Sequence, residues 1–405
     1  MRALPPGAPV SGVRLGTAAA GLRYGGRDDL LLLRLAEGAA VAAAFTRNAF
    51  AAAPVQLARE HLARARPRCL LVNAGQANAG TGAQGLADAR ACCEAVARLE
   101  GLTPEEVLPY STGVIGEPLP VERLVAALPR AREALREDGW EAAARAILTT
   151  DTRPKLASRA VEAGPWRAVL TGMVKGAGMI RPDLEPAGPP QATLLAFVAT
   201  DAALDPSQTR RLLERAVDGS FHCLTVDGDT STNDACTLVA TGRAGPPPDG
   251  AALGALAEAL DGLCRELARA VARDGEGATR LVTVEVEEAR DEAEARRVAF
   301  TVAQSPLVKT ALFAADPNWG RILAAVGRSG VEGLAVQGVR LYAGEVCLAE
   351  GGARAPGYDE DRARKALEGE EVLLRILLGR GRARARVWTC DLSYDYVRIN
   401  AEYRT

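Results

Sequence analysis

Two histidines, His61 and His222, are all the imidazole the chain carries, so neither a Ser-His-Asp relay nor a multi-histidine metal centre is the expected chemistry. Of 49 basic residues only four are lysines, Lys155, Lys175, Lys309 and Lys365, which makes each of them worth inspecting. A GxxxxGK[ST] phosphate loop, a GxSxG elbow, an HExxH helix and an EF-hand loop are absent from the sequence. The eight cysteines form no CxxC pair and several sit in apolar segments, a pattern of reduced, buried thiols rather than of disulfides or zinc. What remains is a set of threonine- and glycine-rich segments around one lysine. They are Ser111-Thr112-Gly113-Val114-Ile115-Gly116, Thr149-Thr150-Asp151-Thr152, the run from Thr171 to Ile180 that contains Lys175, and Gln191-Ala192-Thr193-Leu194 leading into Val198. Singly, such segments mark turns more often than active sites.

Local patterns locate the elements that must position these residues. Cys69-Leu70-Leu71-Val72 reads as a buried strand running into a glycine-rich loop over 73–82, and a helix follows from about Ala87 to Leu99, stopped by Gly101. Thr103-Pro104-Glu105-Glu106 and Asp205-Pro206-Ser207-Gln208 both have the form of a capping box with proline at the first helical position. The stretch from Ala244 to Gly250 is a proline-rich surface connection, and a helix is expected from about Ala251 to Ala272. Val282, Val284 and Val286 alternate with Thr283, Glu285 and Glu287 in a half-buried strand, and a domain boundary is placed near residue 280. Arg380, Arg382, Arg384 and Arg386 alternate with small residues and read as one solvated face of a strand. A length of 405 residues allows two or three domains. The net charge of −2 argues against nucleic acid or an anionic membrane as partner. No run approaches 18 apolar residues, and Met1 leads into Arg2, Pro5 and Pro6 without a signal core, so a cytoplasmic protein is expected.

Taken in order, the segments resemble the ornithine acetyltransferase family of arginine biosynthesis, also called glutamate N-acetyltransferase. The likeness is carried by Phe45-Thr46-Arg47-Asn48 with Ala53-Pro54-Val55, by 111–116 with Leu119-Pro120, and by Lys175-Gly176-Ala177-Gly178-Met179-Ile180. It continues through Asp227 to Asp234, Asp274-Gly275-Glu276-Gly277-Ala278-Thr279, Asp316 to Arg321, and the last ten residues. The resemblance implies a chain that cuts itself before a threonine, which then carries the acetyl group. Thr193 is the expected nucleophile, with cleavage between Ala192 and Thr193 into chains 1–192 and 193–405. The freed α-amine, of ordinary pKa about 7.7–8.0, would serve as base in a histidine-poor protein.

The resemblance further implies an oxyanion hole from the Thr112 hydroxyl and the Gly113 N–H, and substrate contacts from Thr152, Lys175, Thr193, Glu276, Asn400 and Thr405. Lys175 could offset a substrate carboxylate and Glu276 pair with an ammonium. The implied reaction moves acetyl from N2-acetylornithine to glutamate through acetyl-Thr193. It needs no metal and no cofactor, acetyl-CoA being an alternative donor in some members. The implied fold is α/β (α+β), an N-terminal-nucleophile-like αββα sandwich over 1–280 built from both halves of the chain, with a smaller C-terminal α/β domain over 281–405. The fragments would assemble as α2β2 or larger. Glu185 to Gln191 is extra relative to the family and is expected to form a surface loop. Two rivals stand beside this reading: an N-terminal-nucleophile amidase or aminopeptidase, with water in place of glutamate, and an uncleaved, non-catalytic binding protein.

Overall fold

In a computed structural model of the chain, residues 1–182, 184–186 and 194–402 are described. They divide into two compact units: one from Met1–His222 and Asp229–Leu267, the other from Cys223–Gly228 and residues 268–402.

The first unit holds two sheets. Strands β2 (Val13–Ala18), β3 (Leu30–Leu35), β5 (Cys69–Gln76) and β6 (Val107–Val114) form one, in the order β2-β3-β5-β6 with β5 and β6 parallel. The other has seven strands: β1 (Arg2–Leu4), β4 (Ala40–Thr46), β7 (Lys155–Ala163), β8 (Trp166–Lys175), β9 (Leu184–Pro186), β10 (Leu195–Thr200) and β11 (Ala235–Ala240), in the order β1-β7-β8-β10-β11-β4-β9. The central strands β3, β5, β10 and β11 are near-continuous apolar runs because they are covered on both faces. Leu31, Leu33, Leu70, Val72 and Tyr110 from the smaller sheet share one core with Phe45, Met173, Leu195, Phe197 and Val239 from the larger.

The outer face of the smaller sheet, with Leu30, Leu32, Cys69 and Leu71, is covered by α2 (Gly82–Glu100) and α3 (Val121–Glu133). The larger sheet is covered by α5 (Pro206–Asp218), on β4 and β11, and by α6 (Gly250–Arg273), whose Leu263 and Leu267 lie where a Cβ at Gly172 would project. The remaining helices of this unit, α1 (Ala53–Arg64) and α4 (Trp140–Ala146), add Val55, Ala58, Trp140 and Ala143 to the shared core. The result is an αββα sandwich. It is built from both halves of the chain, since β10 and β11 lie between β8 and β4.

The second unit is a six-stranded sheet of β12 (Leu281–Ala289), β13 (Arg340–Ala343), β14 (Val346–Glu350), β15 (Ala353–Arg354), β16 (Glu371–Leu377) and β17 (Ala383–Cys390), in the order β15-β14-β13-β16-β12-β17. Helices α7 (Glu292–Ala303), α8 (Pro306–Phe313) and α9 (Trp319–Gly327) bury Val298, Val302, Leu312 and Ile322 against Val282, Val284 and Val286. Two short helices, α10 (Glu360–Lys365) and α11 (Tyr394–Glu402), complete it.

Most local signals hold. Asp205 caps α5, accepting from Gln208 N at 2.7 Å while Gln208 returns the bond at 3.0 Å, and Gly101 ends α2 at φ 67°. Three differ. The Thr103 capping box is present but closes only a 3₁₀ turn, Pro104–Glu106, because Val107 begins β6 and the chain must extend there. Arg380 leaves the arginine ladder: it precedes β17, and its mostly buried guanidinium meets Glu294 at 2.9 Å. Glu185 and Pro186, expected in a surface loop, lie in β9 beside Phe45 and Ala44 of β4; residues 187–191 of that segment lie outside the described residues. All eight cysteines are unpaired and seven are buried; burial pushes the Cys69, Cys92 and Cys236 thiols up to about 12, which leaves them unreactive. Among the described residues no helix is long and apolar enough to cross a membrane.

Candidate active site

The parallel pair β5-β6 delivers the first candidates. Ala74 stands beside Thr112 and Gly75 beside Gly113 in the register. Gly113 adopts φ 129°, and a Cβ built on it would sit 2.3 Å from the Gly75 carbonyl carbon and oxygen, so only glycine lets the two backbones approach this closely. Thr112 is buried. Its neighbour Ser111 donates to Asn73 Oδ1 at 2.5 Å, and Asn233 Nδ2 donates to both Ser111 O (3.0 Å) and Ala77 O (2.6 Å), pinning the end of β6 to the loop after β5. Behind it, Tyr110 packs edge-on against Phe197 and shares a hydrogen bond with Thr237 Oγ1 at 2.8 Å.

Lys175, the last residue of β8, is buried and brings its Nζ to 3.0 Å from Thr112 Oγ1. An ammonium has no lone pair to accept with, so Thr112 Oγ1 must be the acceptor, and the hydroxyl proton is left to donate elsewhere. Lys175 also lies in register with Leu195, close in sequence to Thr193 on the chain that follows.

Beneath Lys175 is Asp151, which the sequence marks only as part of the Thr149–Thr152 segment, without a role of its own. Its carboxylate oxygens meet Lys155 Nζ at 2.7 Å and Lys175 Nζ at 3.9 Å, and it accepts from Gly176 N at 2.6 Å. Burial alone would push this carboxyl up, but Lys175 first, then Lys155, outweigh it and, with those bonds, hold it down at about 2. One buried carboxylate thus serves two buried ammoniums. The Lys175 ammonium lies beside Thr112, where an oxyanion held by Thr112 and Gly113 would develop. Two of the only four lysines converge on this aspartate, so the scarcity that singles out Lys155 and Lys175 is also the signal that points to Asp151.

In the second unit, Glu276 and Asn400 come together: Asn400 Nδ2 donates to Glu276 Oε2 at 2.8 Å and to Tyr396 O at 3.0 Å. Gly277 makes this possible. At φ 68°, a Cβ there would lie 2.4 Å from Tyr396 N, so the Glu276 loop packs directly on the start of α11, where Ser393 Oγ also donates to Gly277 O at 2.6 Å. Thr152 is exposed beside Asp151. Ala192, Thr193 and Thr405 lie outside the described residues. Among the described residues, no three His, Cys, Asp or Glu side chains gather as a metal site.

An αββα sandwich that brings a threonine hydroxyl and a glycine backbone together beside a buried lysine has the groups that an acyl-transfer oxyanion requires. The sequence profile of the ArgJ family matches residues 14–405. The arginine biosynthesis bifunctional protein ArgJ of Methylococcus capsulatus is 58% identical over 98% of this chain and 96% of its own length. That of Pseudomonas fluorescens is 50% identical over 99% of this chain and 98% of its own. A crystal structure of ornithine acetyltransferase complexed with ornithine from Mycobacterium tuberculosis is 35% identical, covers 45% of this chain and 99% of that chain, and has a TM-score of 0.41. The chain belongs to the ArgJ family, and it is an enzyme of arginine biosynthesis, an acyltransferase.

Proposed function

We propose that the chain transfers an acetyl group from N2-acetylornithine to glutamate by a ping-pong route through Thr193. The Thr193 hydroxyl attacks the acetyl carbonyl while its own α-amine takes the hydroxyl proton. The amide C–N bond then breaks, the proton passes to the leaving nitrogen, and ornithine departs. The glutamate amine attacks the resulting ester, its proton returns through the same α-amine, and N-acetylglutamate leaves with Thr193 regenerated. Each half-reaction passes through an oxyanion, for which the Thr112 hydroxyl and the Gly113 N–H are the donors.

The observation that carries this reading is the Lys175 Nζ–Thr112 Oγ1 bond, since it turns the threonine proton outward and places a buried ammonium behind it. Thr152, Lys175, Glu276, Asn400 and Thr405 hold the substrate, Lys175 toward a carboxylate and Glu276 toward an ammonium. Acetyl-CoA is proposed as an alternative donor, α2β2 as the smallest assembly of the cleaved fragments, and the cytoplasm as the site of action.

The test combines intact-mass analysis with an acetylornithine assay, with and without glutamate. We expect two fragments, split between Ala192 and Thr193, that are lost in Thr193→Ala, and ornithine release that glutamate accelerates while N-acetylglutamate forms. Ornithine release indifferent to glutamate would indicate the amidase instead, and a cut that persists in Thr193→Ala would overturn self-processing through that hydroxyl.

A further inference from the structure

A second site lies at the other end of the smaller sheet. A cavity of about 580 Å³ in the first unit is lined by Arg14, Arg34, Arg68 and Arg243, with Glu37 and Glu137 as its acids. Arg14 on β2 and Arg34 on β3 are directly opposed in the antiparallel register, a placement in which like charges oppose folding.

The acids near it do not neutralise the group. Arg34 is occupied by Glu100 at 2.9 Å, which also serves Arg132 at 3.1 Å. Arg68 reaches only the largely exposed Glu37, at 4.0 Å, and its buried Nε has no hydrogen-bond partner among the described residues. Glu137 accepts from Gly12 N. Arg14 and Arg243 make no ion pair with any described residue. In this arginine-rich chain most guanidiniums near an acid take it; here two stand without one and a third leaves a buried donor orphaned.

We infer that this cavity binds a multivalent phosphate anion, either inorganic pyrophosphate or the phosphate tail of a nucleotide. Guanidinium forks converging from two strands and two loops match phosphate oxygens bidentately. Arg34 keeps its bonds to Glu100 and to the Arg68 carbonyl, so Arg14 and Arg243 are the guanidiniums left to grip the anion. The volume is within the usual range for a small-ligand pocket. Thr112 and Gly113 lie at the far end of β6, roughly 20 Å away at ~3.3 Å per residue, so the site is separate from the acetyl-transfer centre.

The test is calorimetric titration of the full chain with inorganic pyrophosphate, ADP and citrate, in wild type, in Arg14→Gln/Arg243→Gln, and in Arg382→Gln/Arg384→Gln, a charge-matched control on exposed residues of the second unit. Pyrophosphate should bind wild type and control equally, one per chain, and bind Arg14→Gln/Arg243→Gln about 100-fold more weakly, roughly tenfold for each guanidinium removed. Acetyl transfer should be unchanged in that variant. ADP binding more tightly than pyrophosphate identifies a nucleotide source, equal affinity the free anion. As a readout independent of the variant's folding, pyrophosphate should protect Arg14 and Arg243 of the wild type from phenylglyoxal in a peptide map. Absence of binding, equal loss in the control, citrate binding as tightly as pyrophosphate, or no protection would overturn the proposal.

Discussion

At the scale of single residues, the molecule concentrates its unusual electrostatics on Asp151. Replacing it with asparagine removes the carboxylate that Lys155 and Lys175 share, and breaking a buried pair in this way costs about 3–5 kcal/mol. The dependence on pH has a definite sign. The folded carboxyl sits at about 2, below its ordinary ~3.9, so its contribution of about 2–3 kcal/mol is present above pH ~4 and is lost as pH falls through 2. Urea denaturation of wild type and Asp151→Asn should therefore give a stability gap that is full at pH 7 and much reduced at pH 2.5; a gap that stays constant contradicts the ion-pair account. Thr112 makes a separate prediction. Thr112→Val keeps the shape and removes the hydroxyl, so kcat should fall by about 10²–10³-fold, as for loss of one oxyanion donor, with KM nearly unchanged. Steady-state kinetics with acetylornithine and glutamate decide it, and a change confined to KM would move Thr112 from the oxyanion to substrate binding.

At the scale of elements, what matters is how glycines let backbones close on one another. Gly277 presses the Glu276 loop onto Tyr396 N. Gly277→Ala should push the start of α11 away and separate Asn400 from Glu276, raising KM for the amino-acid substrate more than it lowers kcat; kinetics at varied glutamate check this, and an unchanged KM would detach that pair from substrate binding. The same scale shows what could be read from sequence. Helix α6, expected over 251–272, runs from Gly250 to Arg273, because a long Ala/Leu pattern declares itself over many turns. The alternation over 282–287 holds because β12 is apolar on one face and charged on the other, where Glu285 meets Arg386 and Glu287 meets Arg375. Local signals fail where a distant partner decides the outcome. The Thr103 box cannot show that Val107 must join β5, nor can the even spacing of arginines show that Glu294 draws Arg380 off the strand. Asp151 is hidden for the same reason: its partners lie four residues on and at the end of another strand, and only the β7-β8 pairing brings both lysines to it.

At the scale of the whole molecule, the order of the seven-stranded sheet decides what a cut at 192/193 would do. Strands β10 and β11 belong to the 193–405 fragment. Yet β10 pairs with β8 from Leu195–Lys175 to Thr200–Leu170, and β11 with β4 from Ala235–Phe45 to Ala240–Ala40, both in the 1–192 fragment. Removing either fragment would open two long apolar sheet edges in the other and expose the core around Phe45, Met173, Leu195 and Phe197. Fragments so interleaved cannot separate by peeling one domain from another; they part only when the sandwich itself unfolds. Processed protein should therefore elute from a sizing column as a single species containing both fragments, at every urea concentration below the main unfolding transition. Fragment 1–192 or 193–405 expressed alone should be insoluble or unfolded, while expressing the two together from separate start sites should restore soluble material. Separation of the fragments well below the unfolding midpoint, or a stable folded 1–192 on its own, would show that the strand order does not hold the two pieces together.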